Sequence, residues 1–111
     1  MSGVAAQDVD AYVTGAVVRV VARVAPRGVG PVVPEAELLA DLAFQSLMIV
    51  ELGFALQDLF DVSVSPEDAM GLSSVADVAG LVALRLREGR ARLPEPAELD
   101  QWLASYAEDD E

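Results

Sequence analysis

The sequence has no cysteine, no histidine and no lysine, and these absences exclude most of the common site chemistries. Without cysteine the chain forms no disulfide and offers no thiolate nucleophile. Without histidine and lysine it lacks the usual general base, the Schiff-base amine and the softer metal ligands. A carboxylate-only hydrolase needs two acids facing each other across a cleft, and a single small domain offers little cleft. We therefore expect a protein that is not an enzyme and holds no metal.

Basic residues are also scarce, because seven arginines face nineteen acids and leave a formal net charge of -12. An acidic surface repels phosphate backbones, so we expect no nucleic-acid partner. The same charge attracts partners with basic surfaces, although it equally serves solubility alone. No apolar run is long enough to cross a bilayer, and residues 1–6 carry no basic signal-peptide region. We expect a cytoplasmic protein without a membrane partner.

The residues that are present predict one helical domain. The chain has 111 residues, of which 53% are hydrophobic, and this is enough for a single modest core. Apolar residues at three-to-four spacing predict a first helix over 8–24, with valines on one stripe, and a second helix over 46–60. Ser46 stands at the N-cap position of the second helix. The predicted core stripe of that helix contains Leu47, Val50, Phe54, Leu56 and Phe60.

Two further helices complete the predicted fold. The Ser65-Pro66 pair indicates the start of a brief third helix that Gly71 ends. Ser74, with an aspartate three residues later, indicates the start of a fourth helix that Gly89 ends. We therefore expect an all-α fold, a small four-helix bundle with a long first loop and a short third helix.

Residues 91–111 form an extension beyond this domain, which we place at residues 1–90. Pro96 is suited to be the first residue of a short amphipathic helix that an acidic tail, Glu108–Glu111, follows. Its apolar face contains Leu99, Trp102, Leu103 and Tyr106. An isolated helix of this length is marginal in water, so we expect it to pack on its own bundle. The alternative is an element that becomes ordered only on a partner.

The segment Leu39–Leu47 reads Leu-Ala-Asp-Leu-Ala-Phe-Gln-Ser-Leu, and Asp61–Asp68 reads Asp-Val-Ser-Val-Ser-Pro-Glu-Asp. Both resemble the acyl and peptidyl carrier protein family, whose usual pattern is apolar-acid-Leu-Gly-apolar-Asp-Ser-Leu before an acidic helix. The resemblance covers most of residues 8–88. It departs at Ala43, where the family has glycine, and at Gln45, where the family has aspartate.

The resemblance implies a covalent 4'-phosphopantetheine arm on the hydroxyl of Ser46, attached by a phosphopantetheinyl transferase. It implies that the arm holds a thioester cargo for acyl- or aminoacyl-loading and transfer enzymes with basic or apolar docking surfaces. The expected protein is a standalone, monomeric carrier of polyketide, fatty acid or related specialised biosynthesis. Peptidyl carriage in a nonribosomal peptide pathway is an alternative. Because Gln45 replaces the usual aspartate, an unmodified carrier-like interaction module is another.

The second helix is also the segment that the resemblance assigns to partner binding. A helical wheel places Leu47 inward and leaves Met48 and Ile49 partly exposed. Exposure of both would mark an apolar docking spot, whereas burial would mean core filling. The expected partner-binding residues are Gln45, Leu47, Met48, Ile49, Glu51, Phe54 and Asp58.

Overall fold

The structure, a computed structural model, describes residues 6–25 and 31–109. Its helices are α1 (Ala6–Val24), α2 (Ser46–Phe60), α3 (Pro66–Met70), α4 (Val75–Arg87) and α5 (Pro96–Asp109). The predicted all-α fold is confirmed, and the one extended pairing in the described ranges is a bridge between Glu37 and Ser74. None of the helices described there is long and apolar enough to span a bilayer.

The core forms around α1, which contacts α2, α4 and α5. Valine loses side-chain freedom in a helix, so its intrinsic preference does not explain why this segment is helical. Burial explains it, because a fully buried valine side chain stabilises the folded state by about 1.5 kcal/mol or more. Arg19 and Arg23 lie on the exposed side of the helix. The predicted valine stripe is confirmed, with Val13, Val17, Val20, Val21 and Val24 buried and Val9 packed against them.

α2 packs against α1 through a face that only partly matches the one that its apolar spacing predicted. Its bounds are confirmed, and so is the burial of Leu56 and Phe60. Leu47, Val50 and Phe54 are exposed, so the rest of the predicted stripe was wrong. The full set of buried residues is Leu52, Ala55, Leu56, Leu59 and Phe60.

The solvent side of α2 could have been found from its acids. Apolar residues occur all round this helix, so spacing alone does not identify the buried face. Glu51 and Asp58 are the charged residues of α2, and both are exposed. Together with Leu47 and Phe54 they fall at i, i+4, i+7 and i+11, which is one stripe of a helix. The positions of the two carboxylates therefore indicated which apolar residues face water.

α3 and α4 begin directly after Ser65 and Ser74, as predicted, and each begins with a capping box. At α4 the Ser74 hydroxyl accepts a hydrogen bond from the Asp77 backbone N–H at 3.2 Å. The Asp77 carboxylate accepts from the backbone N–H groups of Ser73 and Ser74 at 3.0 and 3.1 Å. These bonds favour the ionised acid and hold the pKa of Asp77 below its usual value. These hydrogen bonds therefore stabilise the start of α4, beside which other segments of the chain pack.

The extension packs on its own bundle, as predicted, because α5 lies along α1. Leu99 is buried in the common core, with Trp102 and Leu103 half-buried beside it. The Tyr12 hydroxyl donates to the Pro94 carbonyl at 2.8 Å. Further contacts join Arg19 to Asp100 at 2.9 Å and Arg23 Nε to the Leu103 carbonyl at 3.1 Å. The side chains of Tyr106 and of the acidic tail lie outside the described part of the chain.

Candidate functional site

Ser46 is the first residue of α2, and its side chain is exposed. We expected it to be the N-cap, but the N-cap is Gln45, whose backbone is extended at φ -107 and ψ 171. The Gln45 carbonyl accepts the first hydrogen bond of the helix, from the Ile49 N–H at 3.0 Å. The N-cap is the residue whose carbonyl accepts this first bond while its own backbone is not yet helical, so Gln45 takes that position.

The N-terminus of α2 has no cap from a side chain. The Gln45 side chain makes no capping hydrogen bond, and the first turn contains no acidic residue. The backbone N–H groups of Ser46, Leu47 and Met48 precede the first intrahelical bond, so they have no partner within the helix. α3 and α4 differ, since each begins with a serine cap and an acid that compensates the positive helix end. At α2 that end is open to an external anion.

The loop before Ser46 is fixed to the start of α4. The Leu38 N–H donates to the Ser73 carbonyl at 2.8 Å, and the Phe44 N–H donates to the Leu38 carbonyl at 2.9 Å. The side chains of Leu38, Leu42 and Phe44 are fully buried. These hydrogen bonds and contacts connect the Ser73-Ser74 segment at the start of α4 to Phe44, which lies two residues before Ser46. The position of the hydroxyl is therefore set by the tertiary structure as well as by α2.

The exposed side of α2, which we call the outer face, consists of Leu47, Val50 and Phe54. Their exposed fractions are 69%, 51% and 64%, values far above those of core residues. The expectation that Leu47 points inward was therefore wrong. Met48 and Ile49 are partly exposed, as the wheel predicted, but they also pack against the core. The apolar surface beside Ser46 is thus made mainly by the outer face rather than by Met48 and Ile49.

The charged residues of α2 itself are both acidic. Residues 28–84 contain no basic residue, while Glu51 and Asp58 flank the outer face. The arginines that the structure describes lie on α1, in or just after the last turn of α4, or in the extension. Their partners are Asp100 for Arg19, the Leu103 carbonyl for Arg23, Asp68 and Glu88 for Arg85, Asp10 for Arg87, Glu88 for Arg90 and Glu98 for Arg92. No arginine within residues 6–25 and 31–109 forms an ion pair with Glu51 or Asp58.

We expect Gln45→Asp to raise the free energy of unfolding by about 0.5–1 kcal/mol, because aspartate caps N-terminal N–H groups and its charge opposes the positive helix end. Urea denaturation followed by circular dichroism measures the change. The matched control is Gln57→Asp, which places the same charge in the last turn of α2, where the dipole disfavours it. Equal effects of the two variants would contradict the description of α2 as uncapped.

Comparison with known proteins connects this site to one family. The sequence model described as "Phosphopantetheine attachment site" matches residues 15–82, which is more than half of the chain. The matched stretch includes Ser46, the loop before it and the outer face of α2. It ends within α4, so α5 lies beyond it.

Three relatives carry the name acyl carrier protein. The one from Syntrophobacter fumaroxidans is 40% identical over 52 residues, which cover 47% of this chain and 64% of the relative. The one from Syntrophus aciditrophicus is 38% identical over 53 residues, covering 48% and 66%. The one from Bdellovibrio bacteriovorus is 46% identical over 54 residues, covering 47% and 69%. The chain thus spans slightly less than two thirds of the first two relatives, and no solved structure matches it significantly.

Proposed function

We propose that this chain, which belongs to the phosphopantetheine attachment family, is an acyl carrier protein whose Ser46 bears the 4'-phosphopantetheine group. Membership of the family implies the covalent group, and the names of the relatives favour an acyl cargo over a peptidyl one. The observation that carries the assignment to Ser46 is its exposed hydroxyl at an uncapped helix N-terminus free of acids.

The residues around Ser46 fit a phosphodiester. A phosphodiester on this hydroxyl carries one negative charge, which the open N–H groups and the positive end of α2 stabilise. The two serines that cap described helices do not offer this combination. Ser65 and Ser74 accept hydrogen bonds from their own N3 residues, and the N3 aspartates occupy the helix ends.

The chain supplies a nucleophile and a platform, while the proton transfer belongs to a partner. When the group is attached from coenzyme A, the Ser46 hydroxyl loses its proton and its oxygen forms the new bond to phosphorus. The phosphoanhydride bond of coenzyme A breaks in the same step, and adenosine 3',5'-bisphosphate leaves. We propose that the base that accepts the proton belongs to a phosphopantetheinyl transferase, because the sequence has no histidine, lysine or cysteine and the first turn of α2 has no acid. Once bound, the group supplies a thiol that carries the acyl cargo as a thioester. We therefore propose a carrier without catalysis of its own.

The outer face of α2 is the surface that we propose for partner enzymes. Its apolar centre lies directly after Ser46, and the carboxylates of Glu51 and Asp58 border it. A partner that complements it has an apolar docking surface bordered by arginine or lysine. Gln45, Met48 and Ile49 lie at the start of the same surface and complete the predicted contact set.

We expect Phe54→Ser to raise the KM of the carrier for its transferase about tenfold while leaving Tm nearly unchanged. An exposed aromatic residue contributes little to stability but is a frequent binding hot spot. Steady-state kinetics and thermal melting measure the two effects. The matched control is Leu84→Ser, which alters an exposed leucine on α4 and is expected to change neither quantity. A large loss of Tm with Phe54→Ser would assign Phe54 to the core instead.

The cellular setting follows from this assignment as part of the proposal. An acyl thioester cargo fits fatty acid or polyketide biosynthesis, and a supply of coenzyme A fits the cytoplasm. We propose that residues 1–90 form the carrier domain and that residues 91–111 are an addition that packs on it. The protein is proposed to work as a monomer, because its carrier surface is complete within one chain.

The test of the proposed function is intact-mass measurement after incubation with coenzyme A and a promiscuous transferase. We expect a gain of one phosphopantetheine group, and we expect peptide fragmentation to place it on Ser46. No gain with several transferases would favour the alternative, an unmodified interaction module, for which the replacement of aspartate by Gln45 is the supporting observation. A gain at another serine would contradict the assignment of the site.

A further inference from the structure

Ala43, three residues before Ser46, has a left-handed backbone with φ 57. Among the described residues other than glycine, only Ala43 and Asp61 have a positive φ. Asp61 ends α2, and aspartate tolerates this conformation because its short polar side chain bonds locally. Alanine has no such bond, and its Cβ crowds the following carbonyl oxygen. The conformation of Ala43 is therefore imposed by its surroundings.

The surroundings that impose it are on the two sides of Ala43. Before it, the N–H groups of Asp41 and Leu42 both donate to the Glu37 carbonyl, at 3.0 and 3.1 Å, and form a helical turn. After Ala43, the Phe44 N–H donates a hydrogen bond to the Leu38 carbonyl at 2.9 Å. Leu42 and Phe44 are buried, so neither neighbour can rotate to relieve the strain. A left-handed residue commonly ends such a turn and redirects the chain.

We propose that Ala43 is a positioning residue of the carrier site, whose left-handed conformation directs Gln45 and Ser46 out of the core. The chain changes at Ala43 from the turn over 37–42 to the extended backbone of Gln45, after which α2 begins with Ser46 exposed. With a negative φ at this position the chain would leave the turn in another direction. This inference rests on the proposed function, because it concerns the presentation of the same hydroxyl.

The test is a series of substitutions at residue 43, chosen by their tolerance of positive φ. Glycine adopts this conformation freely, asparagine tolerates it, and a β-branched residue opposes it. We expect Ala43→Gly to raise Tm by about 4 °C or more. The matched control is Ala40→Gly, an exposed alanine of the same turn whose φ is not positive, and it is expected to lower Tm.

The functional readout separates positioning from docking. We expect Ala43→Val to lower kcat for phosphopantetheine transfer about 10- to 100-fold with little change in KM, because it misplaces the hydroxyl rather than the docking surface. For Ala43→Gly and Ala43→Asn we expect a kcat within about threefold of the wild-type value, because both residues are compatible with a positive φ. If Ala43→Val does not fold, Ala43→Leu takes its place in the series.

Amide chemical shifts provide a readout that is independent of transfer. In ¹H–¹⁵N spectra we expect Ala43→Val to move the amide signals of Gln45 and Ser46 and to leave those of α5 in place. A lower Tm for Ala43→Gly, or unmoved Ser46 signals with normal kcat in Ala43→Val, would overturn the inference. If no transferase loads the wild type, the proposed function fails. The positioning role is then tested by the spectra alone, and unmoved Gln45 and Ser46 signals in Ala43→Val would contradict it.

Discussion

Ser46→Ala is expected to abolish the mass gain that coenzyme A and a promiscuous transferase produce on the wild-type protein. The phosphodiester needs the side-chain oxygen of residue 46, and alanine has none. No other serine of the described chain combines exposure with the uncapped, acid-free start of a long helix. The effect on transfer should therefore be complete rather than partial. Intact-mass spectrometry after equal incubation of both proteins measures it.

The fold of this variant should be intact, because alanine is a good helix former and the Ser46 side chain is exposed. We expect its Tm to lie within about 4 °C of the wild-type value, which corresponds to less than 1 kcal/mol. The matched control is Ser63→Ala, which alters an exposed serine of the link between α2 and α3 and should be loaded like the wild type. An equal mass gain in Ser46→Ala and wild type would place the group elsewhere.

Truncation after Arg90 is expected to lower Tm by more than about 10 °C. The lost segment includes Leu99, and a fully buried leucine alone contributes about 1.5–3 kcal/mol. Half-buried Trp102 and Leu103 add to this. For a domain of this size each 1 kcal/mol corresponds to about 4–8 °C. Differential scanning calorimetry of both proteins measures the change.

The truncation also affects the helix that begins with Ser46. The backbone N–H of Arg92 donates to the Phe60 carbonyl at 2.7 Å, and this bond satisfies one of the open carbonyl groups at the end of α2. The Arg92 guanidinium pairs with Glu98 and lies near Asp61. These contacts are lost with the segment. We therefore expect faster amide hydrogen exchange in the last turn of α2 in the truncated protein.

A point variant separates burial from mere shortening of the chain. Leu99→Ala should cost about 2–5 kcal/mol, because it removes a large buried side chain. The matched control is Leu93→Ala, which alters a leucine of the same segment that is 39% exposed and should cost clearly less. If truncation leaves Tm unchanged, residues 1–90 are an autonomous domain and the packing of α5 on α1 contributes no stability.

The sequence alone determined which segments are helical and where α3, α4 and α5 begin. Valine spacing identified α1, and the Ser65-Pro66 and Ser74-Asp77 patterns identified the starts of α3 and α4. These features are local, because a capping box needs only residues within one turn, and an amphipathic stripe needs only one helix. Pro96 likewise marked the start of α5. The motif around Ser46 also indicated the family, because a continuous run of residues in the chain carries it.

The tertiary structure decided which side of each helix is buried and how Ser46 is presented. By apolar spacing alone, Leu47, Val50 and Phe54 fit a core stripe as well as Leu52, Leu56 and Leu59 do. The two acids of α2 favour the second set as the buried one, and the packing of α2 on α1 places that set in the core. The left-handed Ala43 was equally hidden, because alanine does not favour that conformation by itself. The turn on one side of Ala43 and the buried Leu42 and Phe44 hold this conformation, and the bond from the Leu38 N–H to the Ser73 carbonyl fixes the turn to a distant part of the chain. Burial and long-range hydrogen bonds outweigh the weak local preferences at these positions, so apolar spacing within one segment did not reveal them.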